Sequence, residues 1–347
     1  MFFEKETIAK KIYDTKCDLR VQKYISEYID DDTPVKSKYF GPKFDAHVHI
    51  GNIDGIHNLI KFREEFNIKK SVGIVWGDAY DELERKFPDK FVFAKYFRSR
   101  ELFKIKPNLK STLEEIERIH QQGYPVVKFW FGPRVRDFVK EQFKIDPPVI
   151  RLSDPFFKSI FAKIEELGLI LLIHVSDPDL WYEKVYQPVS RYGTKQEHID
   201  DFEEILSSFP DLKVQQAHFG SQPEDLDNLA RWFELYPNYN IDTSSARWMA
   251  RELGRYPKKA REFFIKYSNR ILFGTDIVQD RNRPISEYYR TRYFTFQAIL
   301  ESPCREIPLP FPDPENDNNT KINGLDLPLH VLKKVYWENA KKIFKLK

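Results

Sequence analysis

The chain lacks the residues for disulfides, membrane spans or a strong charge of one sign. Only two cysteines occur in 347 residues, Cys17 and Cys304. Their separation argues against a disulfide framework, and a reducing cytosol is the simpler expectation. No run approaches the roughly 20 apolar residues that span a bilayer. The opening MFFEKETIAKKIYD is charged and has no apolar core, so no signal peptide is expected. Lys and Arg number 56 against 53 Asp and Glu, a net charge of +3. That balance gives no reason to expect nucleic acid or a membrane surface as a partner. The lysine pairs Lys69-Lys70 and Lys341-Lys342 read as solvated faces. No internal repeat, low-complexity tract or glycine-rich dinucleotide fingerprint is present. What remains is a large globular chain, 41% hydrophobic and 15% aromatic, of a length ordinary for one α/β barrel. A small-molecule substrate is the expected partner, and a homodimer is compatible with the sequence.

Residues 1–43 read as an N-terminal helical extension. Ile8, Ile12, Val21, Tyr24, Ile25 and Tyr28 give a helical period, which Asp30-Asp31-Asp32-Thr33-Pro34 ends. From Phe44 onward, short apolar runs alternate with amphipathic segments. Eight runs read as strands: 44–49, 71–76, 91–97, 126–131, 169–175, 213–218, 239–243 and 271–274. Helices are expected over 55–66, 112–122, 154–167, 197–208, 223–236 and 247–267, with at most a turn or two in 77–89. Asp154 is a candidate N-cap before Pro155, and Gly168 a stop. The near-continuous Leu169-Ile170-Leu171-Leu172-Ile173 suits a parallel sheet covered on both faces. Eight strand–helix alternations predict a (β/α)8 TIM barrel over 44–347, with a doubly wound open sheet as the alternative. Residues 302–328, rich in Pro, Asn and Asp, read as a surface excursion, and 329–344 returns to helical period.

The chemistry starts at Asp45-Ala46-His47-Val48-His49. Side chains alternate along a strand, so His47 and His49 face together, an arrangement that divalent ions bind readily. Alone, this spacing is more often a solvated pair. Other polar residues also stand at strand ends: Lys128 in strand 4, His174 at the end of strand 5, His218 at the end of strand 6 and Asp276 after strand 8. In a closed barrel they converge on one mouth, and nitrogen and oxygen ligands with a water make a catalytic rather than a structural metal site.

The Asp-Ala-His-Val-His opening, the strand-5 and strand-6 histidines and Phe273-Gly274-Thr275-Asp276 resemble the amidohydrolase superfamily. The ending Glu338-Asn339-Ala340-Lys341-Lys342-Ile343-Phe344 resembles the tail of its amidohydrolase-2 branch, which includes related decarboxylases. The resemblance implies that His47, His49, His174 and Asp276 hold one divalent ion, usually zinc. It also implies that Asp276 and His218 are catalytic, His218 as acid, base or electrophile. Lys128 can be a carboxylated bridge between two metals or an unmodified amine near a substrate carboxylate; one metal and an unmodified lysine are expected. Trp76, Trp130 and Trp181, with Arg98, Arg134 and above all Arg247, suit a planar or aromatic acid. Asp45 is either a partner behind the metal ligands or a buried hydrogen-bonder, and the second is favoured. His57, His120, His198 and His330 read as surface or packing residues. Three functions remain open. A metal-dependent hydrolase using a metal-activated water on a C–N or C–O bond comes first. A nonoxidative decarboxylase of an aromatic or unsaturated acid is next, then a barrel that only binds.

Overall fold

The structure is a computed structural model that describes residues 23–30 and 37–346, except 52, 54, 77–79, 98, 99, 105, 148 and 280–284. Most of the expected N-terminal extension lies outside the described residues; within it, residues 23–30 are helical. All eight expected strands form: β1 (Lys43–Ile50), β2 (Ile68–Val75), β3 (Phe91–Tyr96), β4 (Val126–Trp130), β5 (Ile170–His174), β6 (Lys213–Gln216), β7 (Tyr239–Asp242) and β8 (Ile271–Leu272). Among the described residues three short ones are additional: β9 (Ile277–Gln279), β10 (Ile307–Pro308) and β11 (Lys321–Ile322). With helices between successive strands, the chain has the (β/α)8 TIM-barrel fold. Among the described residues no helix is long and apolar enough to cross a membrane.

The chain divides into two compact units, Phe93–Asp242 and Met1–Val92 with Thr243–Lys347. In the Phe93–Asp242 unit, β3 to β7 pair in chain order and in parallel. The run from Ile170 to Ile173 is buried throughout, as a doubly covered parallel strand requires. The helix Pro155–Glu166 buries Phe157, Ile160, Phe161 and Ile164, one face at helical spacing. Pro155 sets its start, since Asp154 makes no side-chain cap bond. Gly168 ends it in the left-handed region at φ +65°, which a residue with a Cβ adopts poorly. The helix Lys195–Ser208 opens on a reciprocal capping box between Thr194 and Glu197.

In the other unit, β1 lies parallel to β2 on one side and to β9 on the other. The β1–β2 register slips between Asp45↔Ser71 and Val48↔Gly73, so β1 carries one extra residue there, a bulge. The single helix expected over 247–267 is two, Ala246–Arg255 and Pro257–Lys266. Pro257 lacks an amide hydrogen and disfavours helical geometry at Tyr256, so the helix restarts there. A long helix, Ile285–Glu301, fills the connection after β9.

Residues 302–328 are not a surface excursion. Ile322, Leu325 and Leu327 are buried, and β10 and β11 form an antiparallel pair. Leu325 and Leu327 donate backbone bonds to Ile299 and Leu300 at 2.6 and 2.9 Å. Asp313 in this segment accepts from the buried Arg251 at 2.7 Å and from Thr320 at 2.5 Å. A guanidinium out of water needs such a carboxylate. The Pro, Asn and Asp residues here make turns within a packed segment.

Candidate active site

The first cluster is built on β1 and the turn after β8. His47 is buried and His49 half-buried, with ring centroids 5.3 Å apart. Asp276 Oδ1 lies 3.4 Å from His47 Nε2 and 3.1 Å from His49 Nε2. The two imidazoles and the carboxylate offer one ligand atom each, all within 4.8 Å of one another. Two imidazole nitrogens and a carboxylate oxygen at this spacing fit a divalent cation. Asp276 is turned inward by a left-handed backbone, φ 57°, which aspartate tolerates, and its N–H donates to the His47 carbonyl at 2.9 Å.

The outer sides of the two rings differ. Ser244 Oγ is 3.2 Å from His47 Nδ1, and a hydroxyl can accept a hydrogen from that nitrogen. Trp76 Nε1 is 3.4 Å from His49 Nδ1 and can only donate. His49 then carries its own hydrogen on Nε2, toward Asp276. Asp45 takes the structural role favoured for it. It accepts from Thr275 Oγ1 at 2.6 Å, Thr275 N at 3.0 Å and His47 N at 3.1 Å, fixing the residue before Asp276. Burial pushes its carboxyl up to about 7, against those hydrogen bonds and the charge of Arg63.

The second cluster belongs to the Phe93–Asp242 unit. His174 ends β5 as expected. His218 does not end β6, which stops at Gln216. It stands in a left-handed turn with φ 57° and ψ 49°, followed by Phe219 at φ 55°. A backbone turned this way cannot continue a sheet ladder. Asp242 of β7 holds the turn, accepting from His218 N at 3.2 Å and from Gln215 Nε2 at 2.7 Å. The rings of His174 and His218 meet edge to face at 4.2 Å, with His218 Nε2 3.2 Å from His174 Nδ1. The other nitrogen of His174, Nε2, lies 2.8 Å from Asp177 Oδ1, and the Tyr186 hydroxyl donates to Asp177 Oδ2. Burial pushes the Asp177 carboxyl up, but the charge and bond of His174, the Tyr186 hydroxyl and His218 outweigh it and leave it below its ordinary value.

Lys128 is buried in β4, so its head does not reach solvent. Trp130 lies with its ring 5.7 Å from Phe138 and 6.4 Å from His174. Trp181 is buried under the Arg134 guanidinium, 5.7 Å from the ring centre. Arg247 pairs with Glu315 at 3.4 Å and Asp313 at 3.8 Å. Arg98 lies outside the described residues. His198 is a packing residue, with Nε2 2.7 Å from the Tyr192 carbonyl. Sequence reasoning missed Asp177, Ser244 and Asp242. Asp177 had a signal in His174-Val175-Ser176-Asp177, an acid one loop turn past a strand-end histidine.

The chain is thus a barrel carrying two clusters of histidine and aspartate, one with the donor set of a divalent-metal site. A family model described as Amidohydrolase matches residues 109–346, and the chain belongs to this enzyme family, in the amidohydrolase-2 branch of the superfamily. No curated protein matches. Among solved structures it is similar to a 2,6-dihydroxybenzoate decarboxylase complexed with 2,6-dihydroxybenzoate, at 14% identity and TM-score 0.53, over 88% of this chain and 100% of that one. It is also similar to 5-carboxyvanillate decarboxylase from Novosphingobium aromaticivorans, complexed with manganese and 4-hydroxy-3-methoxy-5-nitrobenzoic acid, at 13% identity and TM-score 0.52, over 90% and 99%. A proposed amidohydrolase from Staphylococcus aureus matches at 15% identity and TM-score 0.52, over 88% and 99%. At these identities the likeness establishes the fold.

Proposed function

We propose that the chain is a divalent-metal-dependent enzyme acting on a small organic acid by nonoxidative decarboxylation. The observation that carries this reading is the cluster of His47, His49 and Asp276. His174 is proposed to complete the ligand set, and zinc to be the resident ion, because imidazole-rich sets suit it. A bound divalent ion supplies positive charge that anchors and polarises a carboxylate or phenolate oxygen. The benzoates bound by two similar proteins support an aromatic acid as substrate. Trp76, Trp130 and Trp181 are proposed to meet its flat faces and Arg247 its charge, with Lys128 an unmodified amine that binds substrate. In the reaction the bond from ring carbon to carboxylate breaks and carbon dioxide leaves. The electron pair stays on the ring carbon, and His218 Nε2 delivers a proton there. Hydrolysis of a C–N or C–O bond is the second reading. It is favoured by Asp276, a carboxylate that can take a proton from an attacking water.

The test is the metal content of the purified protein, followed by a panel of hydroxybenzoic acids beside esters, lactones and amides. Close to one ion per chain with carbon dioxide released from an aromatic acid is the expected result. Turnover of the hydrolysable set alone would move the assignment to the second reading. Protein without a tightly held ion and without turnover would sink both. Added bicarbonate should leave activity unchanged if Lys128 is unmodified.

A further inference from the structure

The loop after β5 places a buried carboxylate on one side of a histidine whose other side meets a second histidine. Asp177 Oδ1 stands 2.8 Å from His174 Nε2, and His174 Nδ1 stands 3.2 Å from His218 Nε2. A neutral imidazole has one N–H and one lone pair. An ionised carboxylate only accepts, so the hydrogen of His174 belongs on Nε2 and its lone pair on Nδ1. Asp177 is itself held from behind by the buried Tyr186 hydroxyl, and its position does not depend on solvent.

We propose that Asp177 is a positioning residue for metal binding, fixing His174 in the tautomer whose ligating nitrogen is Nδ1. This rests on the reading of His174 as a ligand given above. It makes His174 unlike His47 and His49, which turn Nε2 toward Asp276. A carboxylate behind a ligating imidazole fixes its orientation and raises its basicity. Room for the arrangement comes from Gly132: a Cβ there would lie 3.0 Å from His174 Nε2.

The experiment measures zinc affinity by competition with a chromophoric chelator, on the full chain and on Asp177→Asn. The amide keeps the shape and removes the charge. Zinc should bind D177N roughly 10- to 100-fold more weakly, the usual effect of losing such a partner, while the metal-free Tm stays near that of the parent. Parent-like affinity would overturn the proposal. Should D177N fail to fold, the parent decides the matter. In histidine-labelled, zinc-loaded protein, the nitrogen spectrum of His174, identified by its loss in His174→Asn, should show the hydrogen on Nε2. A hydrogen on Nδ1 overturns the proposal. Failure of the underlying reading looks different: H174N would then bind zinc as the parent does, whatever D177N shows.

Discussion

The two histidine clusters use the same side chains in opposite order. In the first, the carboxylate of Asp276 faces the inner nitrogens of His47 and His49, while neutral groups, Ser244 and Trp76, stand at the outer ones. In the second, the carboxylate of Asp177 stands at the outer nitrogen of His174, and the inner nitrogen faces another imidazole. An acid on the inner side offers its oxygen beside the ring nitrogens, as one member of a donor set that fits a cation. An acid on the outer side decides which nitrogen carries hydrogen. The comparison shows that residue type alone does not assign a role to an aspartate beside a histidine; the nitrogen it meets does.

The comparison breaks most completely if the first cluster is not the metal site. His47→Ala with His49→Ala should abolish tight metal binding, measured as ions per chain, with the far-ultraviolet dichroism of the fold retained. Unchanged metal content would remove the basis for every role given above. Next in size, His218→Asn should keep the metal and lose about 10²–10⁴-fold in kcat, as removal of a positioned proton donor does. Asparagine suits this position because it also tolerates the left-handed backbone of residue 218. Loss of metal in step with activity would instead make His218 a ligand. Ser244→Ala should weaken zinc binding by about tenfold or less, the low end for an outer partner. The smallest effect is reserved for Trp76→Phe. The indole hydrogen opposes rather than assists an ion at Nε2, so zinc should bind this variant no more weakly than the parent; a tenfold loss would mean that Trp76 supports the ligand.

Most of the barrel was legible because its strands are short, apolar and separated by amphipathic segments. The His-x-His pair was legible for a similar reason, since its geometry is local to β1, although the register against β2 slips between Asp45 and Val48. The residues that sequence reasoning missed depend on contacts distant in the chain. Ser244 reaches His47 from 197 positions away. Asp242 of β7 fixes the turn that removes His218 from β6. The misread segment 302–328 shows the same limit. Its composition is that of an exposed loop, but Arg251 requires Asp313, and that pairing is invisible until the fold places them together. The Pro257 break in the helix needed no distant contact and was open to a stricter local reading.

Glu301 carries a lesson about where the chain can be cut. Its carboxylate accepts from Lys43 Nζ at 2.5 Å, Ser37 Oγ at 2.9 Å, the backbone of Lys38 and Tyr39 at 2.7 and 2.9 Å, and the Tyr336 hydroxyl at 2.8 Å. Burial pushes its carboxyl up, but the Lys43 charge and these bonds outweigh it and hold it below the ordinary value. A shortened version beginning at Phe44, the first residue of the barrel by sequence pattern, would delete every one of these donors but Tyr336. Stripping a buried charge of its partner costs about 3–5 kcal/mol. A fragment that keeps all of these donors starts no later than Ser37, and a fusion joined at residue 40 would remove Ser37, Lys38 and Tyr39 and leave Glu301 with Lys43 and Tyr336.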